Sequence, residues 1–200
     1  MALIALGVSG GISAYKSVEV VRQLQQQGHE VVAVMTANAQ KFIGPLTFEA
    51  ITRRRVLVDQ YEPGVNTDID HIALASSIDL LLVVPATANV IGKFAHGIAD
   101  DFLSSLFLAT KAPILVAPAM NTNMYENIAV QSNCSVLAER GVSFIDPDDG
   151  YLACGWVGKG RLAEPDVIVS AVGGCLRLGR DWTGRVVLVT AGPTYEDVDP

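Results

Sequence analysis

A chain of 200 residues that is 50% hydrophobic and only 18% charged has material for one sizeable core, with room for the first strand of a second unit. Its net charge of −7 argues against a nucleic-acid-binding surface, because neutralising phosphates takes a clustered basic face and the densest basic patch is only Arg53-Arg54-Arg55. Cys134, Cys154 and Cys175 are an odd number without a disulfide-framework spacing, which fits a reducing, cytoplasmic setting.

The opening ALIALGV reads as a first β-strand, not a secretory signal, since no basic segment precedes it and glycines soon interrupt the apolar run. After the loop SGG, Ala14, Val18, Val20, Val21 and Leu24 recur at helical spacing and predict a helix over 13–27, with Gly28 as its stop. EVVAVMT is a second strand, followed by short helices near 40–42 and 47–53. The polar loop YEPGVNTDID leads into a helix that starts HIALASS. The longest apolar run, IDLLLVVPA, contains Asp79 and Pro85 and is far too short to span a bilayer, so no membrane segment is expected. LLLVVP is therefore a strand. ANVIGKFAHGIADDFLSSLFLATK reads as helical, ILVAP as a strand, IAVQSNCSVLAER as a helix and VSFIDP as a shorter strand. DDGYLACGWVGKGRLAEP is Gly-rich and irregular, long enough to be a functional loop, and PDVIVSAVGGCLRL resumes as a helix.

Buried strands alternating with helices predict an α/β fold. The sheet is expected to be doubly wound and mostly parallel, Rossmann- or flavodoxin-like, with helices on both faces. The tail GRVVLVTAGPTYEDVDP begins another strand with nothing after it to cover both faces. It predicts that the natural chain continues, with one domain over 1–183 and the start of a second over 184–200.

Ligands of open parallel sheets sit at the C-terminal strand ends, which here read GVSGG, MTANA, VVPATAN and VAPAMN. Gly10 and Gly11 would let backbone N–H groups approach an anion at a helix N-terminus, although two glycines alone are more often a tight turn. There is no GxGxxG, and Thr36 stands where an acidic ribose ligand would be expected, so a dinucleotide is disfavoured. Hydroxyls at Thr36 and Thr87 with amides at Asn38 and Asn89 suit one phosphate and a flat polar ring, which points toward a mononucleotide such as FMN. His71 opens a helix after Asp68 and Asp70; neutral, it would serve as a general base, while its spacing alone fits a solvated helix-start histidine. Cys154 alone among the cysteines sits in the Gly-rich stretch, near Lys159. It could be a proton donor, a nucleophile or an ordinary loop thiol. No metal-ligand spacing occurs, and no metal is expected.

GVSGGISAYK, the helix-opening His71, PATANVIGKFAHGIADD, PAMNTNMY and ACGWVGKGRLAEP follow one another in the order found in one family. Over its first nine-tenths the chain resembles the homo-oligomeric flavin-containing cysteine decarboxylases, and TAGPTYEDVDP looks like the opening of a phosphopantothenate–cysteine ligase domain. The resemblance implies FMN held by Gly10, Gly11, Ile12, Thr36, Asn38 and the turn Thr87, Ala88, Asn89 and Val90, with Ala119 facing the flavin. His71 would be the base, Asn121 would grip the substrate carboxylate, and Cys154 would be the acid. Met120 and Met124 would pack against a flat ligand or a neighbouring subunit, although a plain core role suits Met124 equally. Gly11 stands where the family commonly has Ser and Val90 where it commonly has Thr, so both lose a hydroxyl near the flavin.

The implied reaction is FMN-dependent decarboxylation of 4'-phosphopantothenoylcysteine to 4'-phosphopantetheine in coenzyme A biosynthesis. Hydride transfer from the thiol-bearing carbon to the flavin would give a thioaldehyde, an electron sink next to the departing carboxylate. CO₂ would then leave an enethiolate, which Cys154 protonates as hydride returns. The resemblance also implies trimers, commonly four to a dodecamer, with FMN between subunits, and a fused ligase domain. Three alternatives stand beside this reading. A peptidyl-cysteine decarboxylase is disfavoured by the ligase-like tail, a flavin prenyltransferase by PAMN and the Cys154 loop, and the third is a non-catalytic flavin-binding regulatory protein.

Overall fold

The computed structural model describes residues 1–61, 70–152 and 155–178. Cys154 and the segment 184–200, expected above to open a second domain, lie outside the described residues. Five strands, β1 (Leu3–Val8), β2 (Glu30–Met35), β3 (Leu80–Ala86), β4 (Ile114–Pro118) and β5 (Ser143–Phe144), form one parallel sheet in the order β2-β1-β3-β4-β5. In the register of this sheet Leu6, Leu82 and Leu115 lie side by side on β1, β3 and β4.

The apolar runs are unbroken because both faces of the sheet are covered. Every residue of β3 is buried. Side chains alternate across the pleat. Ile4, Leu6, Val8, Leu80 and Leu82 face one layer, made by α1 (Lys16–Gln26), α2 (Pro45–Thr52) and α8 (Pro165–Leu178) through Val21, Leu24, Phe48, Ile168 and Val172. Ala5, Leu81, Val83 and Val116 face the other layer, made by α3 (Asp70–Ser77), α4 (Ala88–His96), α5 (Phe102–Ala109) and α7 (Ile128–Glu139) through Leu74, Ile91, Phe94, Leu103 and Leu137. The expected two-sided α/β sheet is therefore present. No helix among the described residues is long and apolar enough to cross a membrane.

Four local expectations are refined. The helix expected over 13–27 starts as a 3₁₀ turn, Ile12–Tyr15, before α1. The helical stretch over 88–111 breaks in two. Gly97 closes α4 in the left-handed region at φ 68°, and Asp101 opens α5 with a reciprocal capping box to Ser104. A five-residue helix, α6 (Thr122–Glu126), stands between β4 and α7, capped by the Asn121 side chain. The Gly-rich segment is no irregular loop. It forms an antiparallel hairpin of β6 (Asp148–Tyr151) and β7 (Val157–Arg161), closed where Leu152 N–H donates to the Trp156 carbonyl at 2.7 Å. Its strands lack an alternating apolar face, so composition hid them.

Leu82 is fully buried at the centre of this frame. Leu82→Ala is expected to lower unfolding stability by about 2–5 kcal/mol, read as a shifted denaturant midpoint with an unchanged m-value.

Candidate active site

The strand order reverses between β1 and β3, so the chain leaves these neighbours toward opposite faces and a crevice opens between the departing loops. Two buried hydroxyls fix its width. Ser9 Oγ donates to the Pro85 carbonyl at 2.7 Å and accepts from Thr87 N–H at 3.0 Å. Ser17 Oγ donates to the Val84 carbonyl at 2.6 Å, tying the first turn of α1 to the same strand. The loop after β2 closes the third side. Thr36 Oγ1 accepts from Ala39 N–H at 3.2 Å, and a Cβ on Gly10 would lie 2.5 Å from Asn38 Cβ, so only glycine lets these two loops meet.

The resulting cleft has a volume of about 880 Å³, within the roughly 300–1,000 Å³ of small-molecule sites. It brings together Gly10, Gly11, Ile12, Thr36, Asn38, Thr87, Ala88, Asn89, Val90, Ala119, Met120, Asn121 and Met124. Val90 is nonetheless 3% exposed and packs among the core residues of α4 and α5, so most of its side chain is spent inside.

The segment after β4 is held from both sides. Ala119 N–H donates to the Ala86 carbonyl at 3.0 Å, and Met120 N–H donates to the Gly160 carbonyl of β7 at 2.9 Å. A Cβ on Gly160 would fall 2.4 Å from the Met120 carbonyl oxygen, and its φ of 141° is also one that suits glycine. The hairpin is thus clamped onto the PAMN segment and brings Tyr151 and Leu152 to the cleft wall. Asn121 caps α6 by accepting the Asn123 N–H on Oδ1 at 2.9 Å, which sets the orientation of its amide.

His71 is not among the described residues that line the cleft. Helix α3 runs back across the sheet and ends where Asp79 N–H donates to the Leu3 carbonyl at 2.8 Å, so His71 at its start stands at the cleft end of the molecule. There its ring meets Phe102 edge-to-face, with centroids 6.1 Å apart at 85°. Its Nδ1 is buried and has no hydrogen-bond partner among the described residues.

The charged walls carried no assignment in the sequence reading. Lys93 reaches Asp100 at 2.6 Å and Asp101 at 2.9 Å. Burial by itself would lower the Lys93 pKa, but hydrogen bonds to both carboxylates outweigh it and hold the ammonium above its ordinary value. Burial by itself would raise that of Asp101. Bonds from Lys93 and from the N–H and hydroxyl of Ser104 override it and keep the carboxyl below the usual range. Across the cleft, Glu164 bridges Lys16, at 3.0 Å, and Arg161. The Lys16 hydrogen bond, more than any other cause, holds the Glu164 carboxyl low. Lys93 and its two carboxylates lie on either side of Gly97 within IGKFAHGIADD, a spacing that would have found them.

A family model described as Flavoprotein matches residues 2–177. The chain is 47% identical over 199 residues to the coenzyme A biosynthesis bifunctional protein CoaBC of Bacillus subtilis strain 168, covering 98% of this chain and 49% of that protein. It therefore spans about half the length of the curated relatives it matches. Among solved structures it is similar to the FMN-dependent cysteine decarboxylase SpaF, with a TM-score of 0.78 and 34% identity over 89% of this chain and 97% of that one. It is also similar to a PPC decarboxylase mutant complexed with pantothenoylaminoethenethiol, with a TM-score of 0.76 and 30% identity over 86% and 96% of the two chains.

Because the Asp101 pKa is depressed in the folded state, its contribution is present above the unfolded carboxyl pKa, about 3.9, and is lost as pH falls through the folded value. Asp101→Asn is expected to melt at a lower temperature than the unaltered chain at pH 7. The gap should close in acid, as followed by thermal melts across the pH range.

Proposed function

The chain belongs to the flavoprotein family, and from that premise we propose that it is the FMN-dependent decarboxylase that converts 4'-phosphopantothenoylcysteine to 4'-phosphopantetheine in coenzyme A biosynthesis. In the full-length protein it would be joined to a phosphopantothenate–cysteine ligase domain. The observation that carries the reading is the convergence, in one cleft, of uncharged strand-end loops with the capped amide of Asn121.

The residues present fit FMN. Gly10 and Gly11 lie at the entry to the 3₁₀ turn before α1, the Gly11 N–H donating to the Ser9 carbonyl at 3.0 Å. Thr87 to Val90 stand at the start of α4, whose N-terminus favours a phosphate. Thr36 and Asn38 add a hydroxyl and an amide, and Ala88, Ala119 and Met120 give a small, apolar wall for a flat ring. Gly11 has no side chain to fill this space. A Cβ there would have Thr87 Cγ2, at 3.6 Å, as its nearest neighbour. Bound FMN supplies a reversible two-electron acceptor for the thiol-bearing carbon, without which loss of CO₂ would leave an unstabilised carbanion.

The chain's own groups divide the remaining work. Asn121, fixed by its cap bond, orients the carboxylate without an ion pair that would stabilise it against leaving. Cys154 supplies the proton that ends the reaction. In the sequence it falls between Leu152 and Gly155, which are joined by Gly155 N–H to the Leu152 carbonyl at 2.9 Å, and Leu152 is itself on the cleft wall. His71 acts as the base in the cleft of a neighbouring copy, which makes the working unit a homo-oligomer built on trimers. Its place beside the cleft but outside it supports this arrangement, as do Ile12 and Tyr15 at the cleft, 62% and 61% exposed.

The purified protein is expected to be yellow, and with 4'-phosphopantothenoylcysteine to release CO₂ and form phosphopantetheine. Cys154→Ser should still release CO₂ but accumulate the enethiol; full turnover by that variant removes the assigned acid. His71→Asn should keep its flavin band and lose CO₂ release, measured on the same preparation. Undiminished release would rule out the base.

A further inference from the structure

Five charged side chains line the cleft among the described residues: Lys16, Lys93, Asp100, Asp101 and Arg161. Their distribution is uneven. On the α4–α5 side, Lys93 is shared by two carboxylates, so that sector carries a net negative charge. On the α1–α8 side two cations share one carboxylate. Lys16 holds Glu164 Oε2 and Arg161 holds Oε1, which leaves one positive charge in excess. In a chain whose net charge is −7, an anion entering the cleft is drawn to that side.

We propose that Lys16 and Arg161, bridged by Glu164, form a phosphate monoester subsite, and that its occupant is the phosphate of the substrate. The inference rests on the decarboxylase reading above and names which residues recognise the phosphorylated end of that substrate.

The two donors have complementary shapes. The Lys16 ammonium is a compact charge on a mostly buried stem, 16% exposed, while the Arg161 guanidinium is a planar fork, 43% exposed and open to the cleft. The fork lies against β6, where a Cβ on Gly150 would be in ordinary contact with Nη1 at 3.4 Å. Glu164 keeps the two cations together before a ligand arrives, and its two oxygens leave each cation further hydrogen-bonding capacity. Arg161 follows Gly160, whose carbonyl accepts the Met120 N–H, so the subsite rides on the hairpin docked to the Asn121 segment. The loops after β1 and β2, which present Gly10, Gly11, Thr36 and Asn38, are left for the phosphate of FMN.

The test compares the unaltered flavin-loaded protein with Arg161→Ala, Arg161→Lys and Lys16→Gln. Turnover and calorimetric binding are measured with 4'-phosphopantothenoylcysteine and with its dephosphorylated counterpart, and retention of FMN is measured against riboflavin. The preference for the phosphorylated conjugate is expected to fall about 10- to 100-fold in Arg161→Ala, the loss of one charge-assisted contact, and to be partly kept in Arg161→Lys. The preference for FMN over riboflavin should hold in every variant. An intact conjugate preference, or an equal loss on both conjugates, overturns the subsite. A collapse of the FMN preference alone assigns the phosphate to the cofactor and overturns the proposed occupant. If the unaltered protein releases CO₂ from neither conjugate, the decarboxylase reading fails by itself, and the calorimetric preference still decides the subsite.

Discussion

The hydroxyl of Ser9 is the small part on which the site depends. At 1% exposure it donates to one residue of β3's end and accepts from another, and so joins the loop after β1 to the loop after β3. Buried hydroxyls that satisfy backbone groups on two elements are costly to remove, because each partner would be left unpaired away from water. Ser17 repeats the device one layer away, on α1. With the two loops fastened at their roots, their diverging tips define a crevice of fixed width, and small residues at the tips keep it open.

A second constraint acts from the far side of the sheet. β5 has only two residues, and the chain then turns into a hairpin that belongs to no sheet but its own. The hairpin is docked through a backbone bond to Met120 and close approaches at two glycines, Gly160 to the Met120 carbonyl and Gly158 to Thr122, with Lys159 lying over the Tyr125 ring. That docking brings together PAMN and the Gly-rich segment, some 40 residues apart in sequence, and places Arg161 and Tyr151 at the cleft. The polarity of the cleft follows from the same placement, since Arg161 arrives on the hairpin while Lys93 arrives on α4. Each is neutralised to a different extent by the carboxylates its own surroundings supply.

Much of this was legible in the chain. The order of strands and helices followed from apolar runs of strand length alternating with 3.6-residue periodicity. Gly10, Gly11, Thr36, Asn38, Thr87 and Asn89, read from the small, uncharged strand ends, do line the cleft, whereas its charged lining did not follow from them. The misreadings share a cause. The break at Gly97–Asp101 was obscured by apolar residues that continue on both sides of it. The hairpin has no apolar alternation to announce it, because its strands are held by pairing and by a clamp to a distant segment. Helix α6 is too short to show a period, and only its Asn121 cap marks it.

The sequence alone determined the layered sheet and the chemical character of its open edge, since both depend on local patterns repeated every two or 3.6 residues. Tertiary structure decided which charges meet: Lys16 finds Glu164 across 148 positions of chain, and no local rule connects them. It also decided that His71 stands against Phe102 and not among the residues lining the cleft, because the direction of a helix across a sheet is set by packing. Composition can name the groups available to a site. Only the packed chain fixes the distances between them, and electrostatics and hydrogen bonding act through those distances.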